Sequence, residues 1–216
     1  MKPLTIYSIF ATTLLLLLGA CKKTTTDGVN AKVVEPHFPT ITLNGDQFVS
    51  KPVGTGTYTD AGAIGFDDNT GQNVTLTPVN NDVDLTTPGF YTVGYFFRNA
   101  DGYEVTQTRF VLVTSVSGAD DYSGVYKRTS NNIPMNVTKI APGLYKTDNV
   151  GGSTLVVSAY FGLINPTTLV VPVQQTDVGS LSCSNISFNV SPSDTTISWI
   201  VRNGSFSTAQ RTFSHQ

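Results

Sequence analysis

The sequence predicts an all-β protein of two successive domains behind an export signal, and three observations carry that prediction. From Phe38 onward no stretch of helical length keeps a 3.6-residue apolar period between helix caps. Short β-branched and aromatic runs instead recur between Gly, Asn, Asp and Pro, the residues that make tight turns. Charged residues fill only 13% of the 216 positions, against about 25% in a typical soluble protein. Hydroxyl and amide side chains take their place, as on β-rich extracellular proteins.

The first element is not part of the fold. Lys2 supplies a positive start, Ile6 to Leu18 an apolar core and Gly19-Ala20 a small-residue cleavage zone, so residues 1–20 read as a secretory signal peptide. A membrane-crossing helix needs about 20 predominantly apolar residues. Here the apolar stretch is interrupted by Ser8, Thr12 and Thr13 and stops at Lys22. Residues 21–37 follow as a polar, threonine-rich tether, with an edge strand over Ala31–Pro36 as the alternative.

Residues 38–116 form the first domain. "ITL", "QFV", "GAIGF" and "NVTLTPV" are short strands, and "GFYTVGYFFRNADGYEVTQTRFVLVTSV" is a hairpin. Its strands are Phe90–Arg98 and Tyr103–Val113, joined through Asn99 to Gly102, where the glycine can take a positive φ. Along the return strand Val105, Gln107, Arg109, Val111 and Val113 share one face, and Phe110 and Leu112 the other. About seven such strands make an Ig-like β-sandwich.

A composition shift near Gly118 marks the second domain, residues 119–216. Residues 37–118 hold three basic side chains against eight acidic ones, whereas the remainder is nearly balanced and contains no Glu. Eight consecutive strands are expected here: Gly124–Arg128, Met135–Ile140, Leu144–Thr147, Thr154–Phe161, Thr168–Val173, Ile186–Val190, Thr196–Val201 and Ser205–Phe213. Sequential strands with short turns favour an antiparallel meander, closed into a barrel or flattened into a sandwich.

Three stretches carry resemblances. Leu18-Gly19-Ala20-Cys21 resembles the lipobox of bacterial lipoproteins, which implies that Cys21 is the lipid anchor and the first residue of the mature chain. "YTDAGAIGFDDNTGQNV" with "DLTTPGFYTVGYFFRNADGYEVTQTRFVLV" resembles bacterial surface Ig-like domains, through Tyr58, Asp60, Gly62, Ala63, Pro88, Gly89, Tyr91 and the late Arg109. "YSGVYKRT", "VTKIAPGLYKTDNVGG" and "VGSLSCSNISF" resemble the domain that follows such a module in Bacteroidetes surface lipoproteins. Those resemblances imply an outer-membrane lipoprotein, on the cell surface or the periplasmic face, of a kind that often accompanies polysaccharide uptake. Lys22 and Lys23 stand where surface-exported members usually carry acidic residues, which leaves the face open.

The chemistry in the sequence points away from catalysis. The two histidines, His37 and His215, lie at opposite ends of the folded chain, so a His-based triad or zinc site would need those ends to converge. Nucleophile elbows, phosphate-cradling glycine loops and His-Glu-x-x-His pairs are not found. With Cys21 lipidated, Cys183 has no disulfide partner and reads as a small buried residue in a strand. Without residues 1–20 the chain carries 12 basic and 15 acidic side chains, which gives no electrostatic footprint for nucleic acid.

Two constellations remain. Asp60, Asp67 and Asp68 offer hard oxygen atoms of the type calcium takes, although turn formation explains them equally well. Tyr145, Tyr160, Phe161 and Trp199 could stack on the apolar face of a sugar while Asn, Asp and Arg side chains bind its hydroxyls. Their other reading is a barrel core, since Trp199 shares a face with Ile197 and Val201. The expectation is therefore a non-enzymatic lipid-anchored envelope protein, without cofactors, that binds a glycan. The alternatives are docking on an outer-membrane protein partner and, less favoured, hydrolysis between paired carboxylates.

Overall fold

The computed structural model describes residues 35–216, and these are all-β. The signal peptide, Cys21 and most of the tether lie outside the described residues. Seven strands build the first lobe: β1 (Thr40–Leu43), β2 (Phe48–Pro52), β3 (Ala63–Asp67), β4 (Gln72–Leu76), β5 (Asn80–Asn81), β6 (Gly89–Arg98) and β7 (Glu104–Thr114). They form a three-stranded sheet, β1-β3-β4, facing a four-stranded sheet, β2-β7-β6-β5. All pairings are antiparallel except β2 with β7, which runs parallel.

The alternation of side chains along each strand explains the packing. Val93 and Tyr95 on β6 meet Val111 and Val113 on β7, with Ala63 from β3 and Tyr58 from the loop before it. At the hairpin turn Asn99 fixes the geometry: its side-chain oxygen accepts the Tyr103 amide at 2.9 Å. Gly102 has φ +88°, a conformation that costs glycine least.

The second half of β7, from Arg109 to Thr114, is buried on both faces. Its outward residues Phe110 and Leu112 leave the first lobe's core and join Phe48 and Leu144 in a second cluster, with Phe90, Tyr160 and Ile164 around it. Phe48 stacks on Phe110 at 4.7 Å and on Tyr160 at 4.0 Å. Hydrogen bonds stitch the edges: Thr114 Oγ1 to Leu163 O (2.6 Å), Ser50 Oγ to Pro142 O (2.6 Å) and Ser115 N to Ile164 O (3.1 Å). Residues 37–216 consequently form one compact unit.

The second lobe has nine strands: β8 (Gly124–Arg128), β9 (Pro134–Ala141), β10 (Leu144–Thr147), β11 (Ala159–Asn165), β12 (Thr168–Val170), β13 (Gln174–Thr176), β14 (Gly179–Val190), β15 (Thr195–Arg202) and β16 (Arg211–His215). Their order in the sheet is β12-β11-β10-β9-β8-β16-β15-β14-β13. Neighbours in sequence are thus paired from β8 to β12 and from β13 to β16. β16 returns to pair with β8, no ladder joins β12 to β13, and β12 lies against β14. This is a meander curled into a barrel with one open seam. Gln174 partly closes the seam, because its carboxamide mimics a strand: Tyr160 N donates to Oε1 and Nε2 donates to Tyr160 O, both at 2.8 Å.

Several expected boundaries shift. The strand expected from Thr154 begins only at Ala159, and the one expected from Ser205 only at Arg211. The buried guanidinium of Arg211 holds both loops that replace them, donating to Gly151 O (3.1 Å), Ala209 O (2.8 Å) and Ser207 O (3.0 Å). β13 escapes the sequence pattern because "QQT" has neither apolar alternation nor β-branched enrichment. Its position comes from the barrel.

The junction between the lobes tolerates nothing larger than glycine at position 162. A Cβ there would lie 2.7 Å from Phe90 Cε2 and 2.8 Å from Leu112 Cδ1. Gly162→Val should therefore destabilise the protein by about 1–3 kcal/mol, the usual cost of overpacking, measured as a shift of the urea midpoint.

Candidate functional site

The four aromatic residues expected as a sugar platform do not form one. Trp199 and Tyr145 are fully buried and Phe161 nearly so. Their rings pack together, with Tyr145 stacked on Phe161 at 5.5 Å and Phe161 edge-on to Trp199 at 5.8 Å. The Trp199 indole donates to Val150 O at 2.8 Å, so even its polar atom is consumed inside. Tyr160 lies at the junction, stacked on Phe48, with Lys146 Nζ 5.5 Å from its ring centroid. Curling of the sheet turns Tyr145, Phe161 and Trp199 inward, and Tyr160 on the other face is covered by Phe48, so the four do not share a platform.

The aspartates proposed for calcium are also engaged elsewhere. Asp60 forms a buried ion pair with Arg109, the two side chains being 4% and 1% exposed. Tyr95 Oη donates to the same carboxylate, as do Tyr58 Oη (3.0 Å) and Gly62 N (2.8 Å). Arg109 spends its other donors on Asp46 O (3.0 Å) and Asn44 O (2.6 Å). Asp67 accepts Asn69 N (2.9 Å) and Ala100 N (3.2 Å), while Asp68 faces His37 at 3.3 Å. Among the described residues, no three His, Cys, Asp or Glu side chains converge in a way that could hold a metal ion.

These contacts set the local proton affinities. Burial alone would push the Asp60 carboxyl up, but hydrogen bonds from Arg109, Tyr95, Gly62 and Tyr58 outweigh it and hold the group below its ordinary range. Burial, reinforced by the Asp60 charge, pushes Tyr58 and Tyr95 up to about 12. Asp67, Asp84 and Asp121 are likewise held low by hydrogen bonds to turn residues. A general acid needs the opposite displacement. Burial pushes the Cys183 thiol up to about 12, which makes it a poor nucleophile. The histidines do not converge: His37 sits beside Asp68 in the first lobe, and His215 packs on Tyr126 and Ser123 O in the second.

A different cluster has the properties of a binding surface, and it lies at the β6–β7 turn. Phe38 is 61% exposed and Tyr103 40% exposed, and their rings touch at a centroid distance of 4.9 Å. Polar side chains lie on the same turn. Asn99 Nδ2 donates to His37 O at 2.7 Å and so holds Phe38 against the turn. Asn69 Nδ2 donates to Asp101 Oδ1 at 3.0 Å, which orients an amide and a carboxylate side by side, with Asn69 Oδ1 and Asp101 Oδ2 as further acceptors. The sequence signal was present but faint: one aromatic residue directly follows "NADG", and another begins the folded chain.

Residues 41–113 match the family described as bacterial surface protein, Ig-like domain. The first lobe is therefore of a domain type found on bacterial surface proteins, which fits an envelope role. Among solved structures, the chain is similar to the lipoprotein BT2262 from Bacteroides thetaiotaomicron, at 21% identity and a TM-score of 0.39, with 83% of this chain and 100% of that chain covered. No curated protein matches the sequence.

The Asp60 network predicts a stability profile with two flanks. The folded state lowers the Asp60 pKa, so its contribution is present above about pH 4, the ordinary carboxyl value, and is lost as pH falls through the lower folded value. It raises Tyr58 and Tyr95, so theirs is full below about pH 10 and is lost as pH rises toward 12. Denaturant melts across pH should show both declines. Asp60→Asn should flatten the acid flank and cost about 3–5 kcal/mol at neutral pH, because it strands a buried guanidinium.

Proposed function

We propose that this is a lipid-anchored, non-catalytic envelope protein that binds carbohydrate on the Phe38–Tyr103 surface. The observation that carries this reading is the exposed aromatic pair with an amide and a carboxylate already oriented beside it. The apolar face of a pyranose stacks on such rings, while its hydroxyls donate to Asp101 Oδ2 and Asn69 Oδ1.

The anchor in this reading is Cys21. Radiolabelled fatty acid should enter the chain and be lost in Cys21→Ser, which should also move the protein from the membrane fraction to the soluble one.

A glycan array probed with a soluble form beginning at Lys22 tests the ligand class. Phe38→Ala and Tyr103→Ala should each weaken a positive signal about tenfold or more, the effect of removing a stacking anchor. Asp101→Ala should weaken it less, and all three should keep the parent melting temperature within a few degrees. Absence of binding to every glycan, or binding that survives both aromatic substitutions, would rule the reading out.

A further inference from the structure

The protein buries two guanidiniums, and only one of them has a counter-charge. Arg109 in the first lobe is matched by Asp60. Arg211, 3% exposed at the start of β16, donates only to neutral acceptors: the carbonyls of Gly151, Ala209 and Ser207 and the Ser207 hydroxyl. Phe206 lies over it, with Arg211 Cζ 5.5 Å from the ring centroid. Carbonyl oxygens complete the hydrogen bonds of a guanidinium without cancelling its charge, and a buried charge with no opposite partner is the destabilising case.

A second cation stands against it. Arg128, half-buried at the end of β8, donates Nη1 to Gly151 O at 3.4 Å and to Gly152 O at 3.3 Å, so the two guanidiniums meet on the Gly151 carbonyl. Burial, reinforced by the Arg128 charge, weakens the hold of Arg211 on its proton. Among the described residues all three ion pairs lie in the first lobe, so neither of these arginines has a carboxylate within reach.

The two side chains differ in what they offer. All three nitrogens of the Arg211 guanidinium are engaged inside the protein. The described hydrogen bonds of Arg128 all come from Nη1, so none engages its Nε–Nη2 edge, the fork that grips an oxyanion through two parallel bonds. Asn131, exposed on the turn after β8, donates Nδ2 to the same Gly152 carbonyl at 3.1 Å and so brings an amide beside that guanidinium.

We propose that this end of the barrel is an anion site that takes a doubly charged phosphoryl group, gripped by the fork of Arg128 and held by the uncompensated charge of Arg211 behind it. Two adjacent positive charges favour a dianion over a carboxylate, and a phosphate monoester carries about −1.5 to −2 at pH 7. A soluble phosphorylated compound and a lipid headgroup share that chemistry. The loop that supplies the two glycine carbonyls also exposes Leu155 (38%) and Val156 (64%), which would meet acyl chains in the second case. The site lies in the second lobe, away from the aromatic surface, and a negative glycan array leaves it untouched.

The test titrates the ¹⁵N-labelled soluble form beginning at Lys22 with sodium phosphate at neutral pH, with chloride and acetate at matched ionic strength as controls. The Arg128 Nε–Hε resonance should shift saturably with millimolar phosphate and respond to acetate about tenfold more weakly. Arg128→Gln should weaken phosphate binding about tenfold or more by calorimetry, the effect of losing a charge-assisted pair of hydrogen bonds. Arg128→Lys, which keeps the charge and loses the fork, should also weaken it. Vesicles of phosphatidylcholine with and without phosphatidic acid identify the source. Arg128-dependent sedimentation with phosphatidic acid that falls in the Leu155→Ser, Val156→Ser double variant assigns a lipid headgroup, and phosphate binding without sedimentation assigns a soluble compound. An Arg128 resonance that responds to phosphate no more than to chloride would overturn the proposal, as would phosphate affinity that Arg128→Gln leaves unchanged or that acetate equals.

Discussion

The ion pair between Arg109 and Asp60 is the constraint around which the first lobe is arranged. A guanidinium with almost no exposure is tolerable only when a carboxylate and enough acceptors surround it. Here the acceptors are backbone carbonyls of Asn44 and Asp46 between β1 and β2, and the carboxylate belongs to the loop before β3. One side chain on β7 thereby fixes two loops of the opposite sheet. The two tyrosine hydroxyls complete the carboxylate's coordination from the core side. In this chain the residues that carry the Ig-like resemblance, Tyr58, Asp60, Gly62 and Arg109, are the members of this network, so here they serve packing.

β7 passes that constraint to the second lobe. Its inward face carries Arg109, Val111 and Val113, and its outward face carries Phe110 and Leu112 into the junction. A residue shift along β7 would exchange the faces and destroy both cores together. The first lobe is accordingly a fused support for the barrel, not a flexible spacer beneath it. The turn joining β6 to β7 lies at the end where Phe38 enters the fold, so the proposed carbohydrate surface is built on the same hairpin that holds the two cores in register.

What could be read from the chain follows from how local each feature is. The β6–β7 hairpin was legible because its alternation and its turn residues lie within one continuous segment. Arg109 was placed on its correct face, yet its buried role was hidden, since its partners are 49 to 65 residues away in sequence. Trp199, Tyr145 and Phe161 were visible as a group, but their exposure depends on whether the sheet closes, which no single strand encodes. Tyr160 was ambiguous for the same reason, as the ring that covers it, Phe48, comes from the other lobe. Phe38 and Tyr103 went unnoticed because two aromatic residues far apart in sequence become a surface only through the Asn99 contact that joins the tether's end to the turn.

The pairing of β8 with β16 has a further bearing, on the order of events in folding. The ring is completed by five residues, Arg211–His215, which pair with β15 on one side and on the other with β8, whose partner residues Tyr126–Arg128 lie far back in the sequence. Loop entropy opposes a pairing of such long sequence separation, so it forms late in folding. Until β16 docks, β8 and β15 are both bare edges, and a single strand removes the two of them at once.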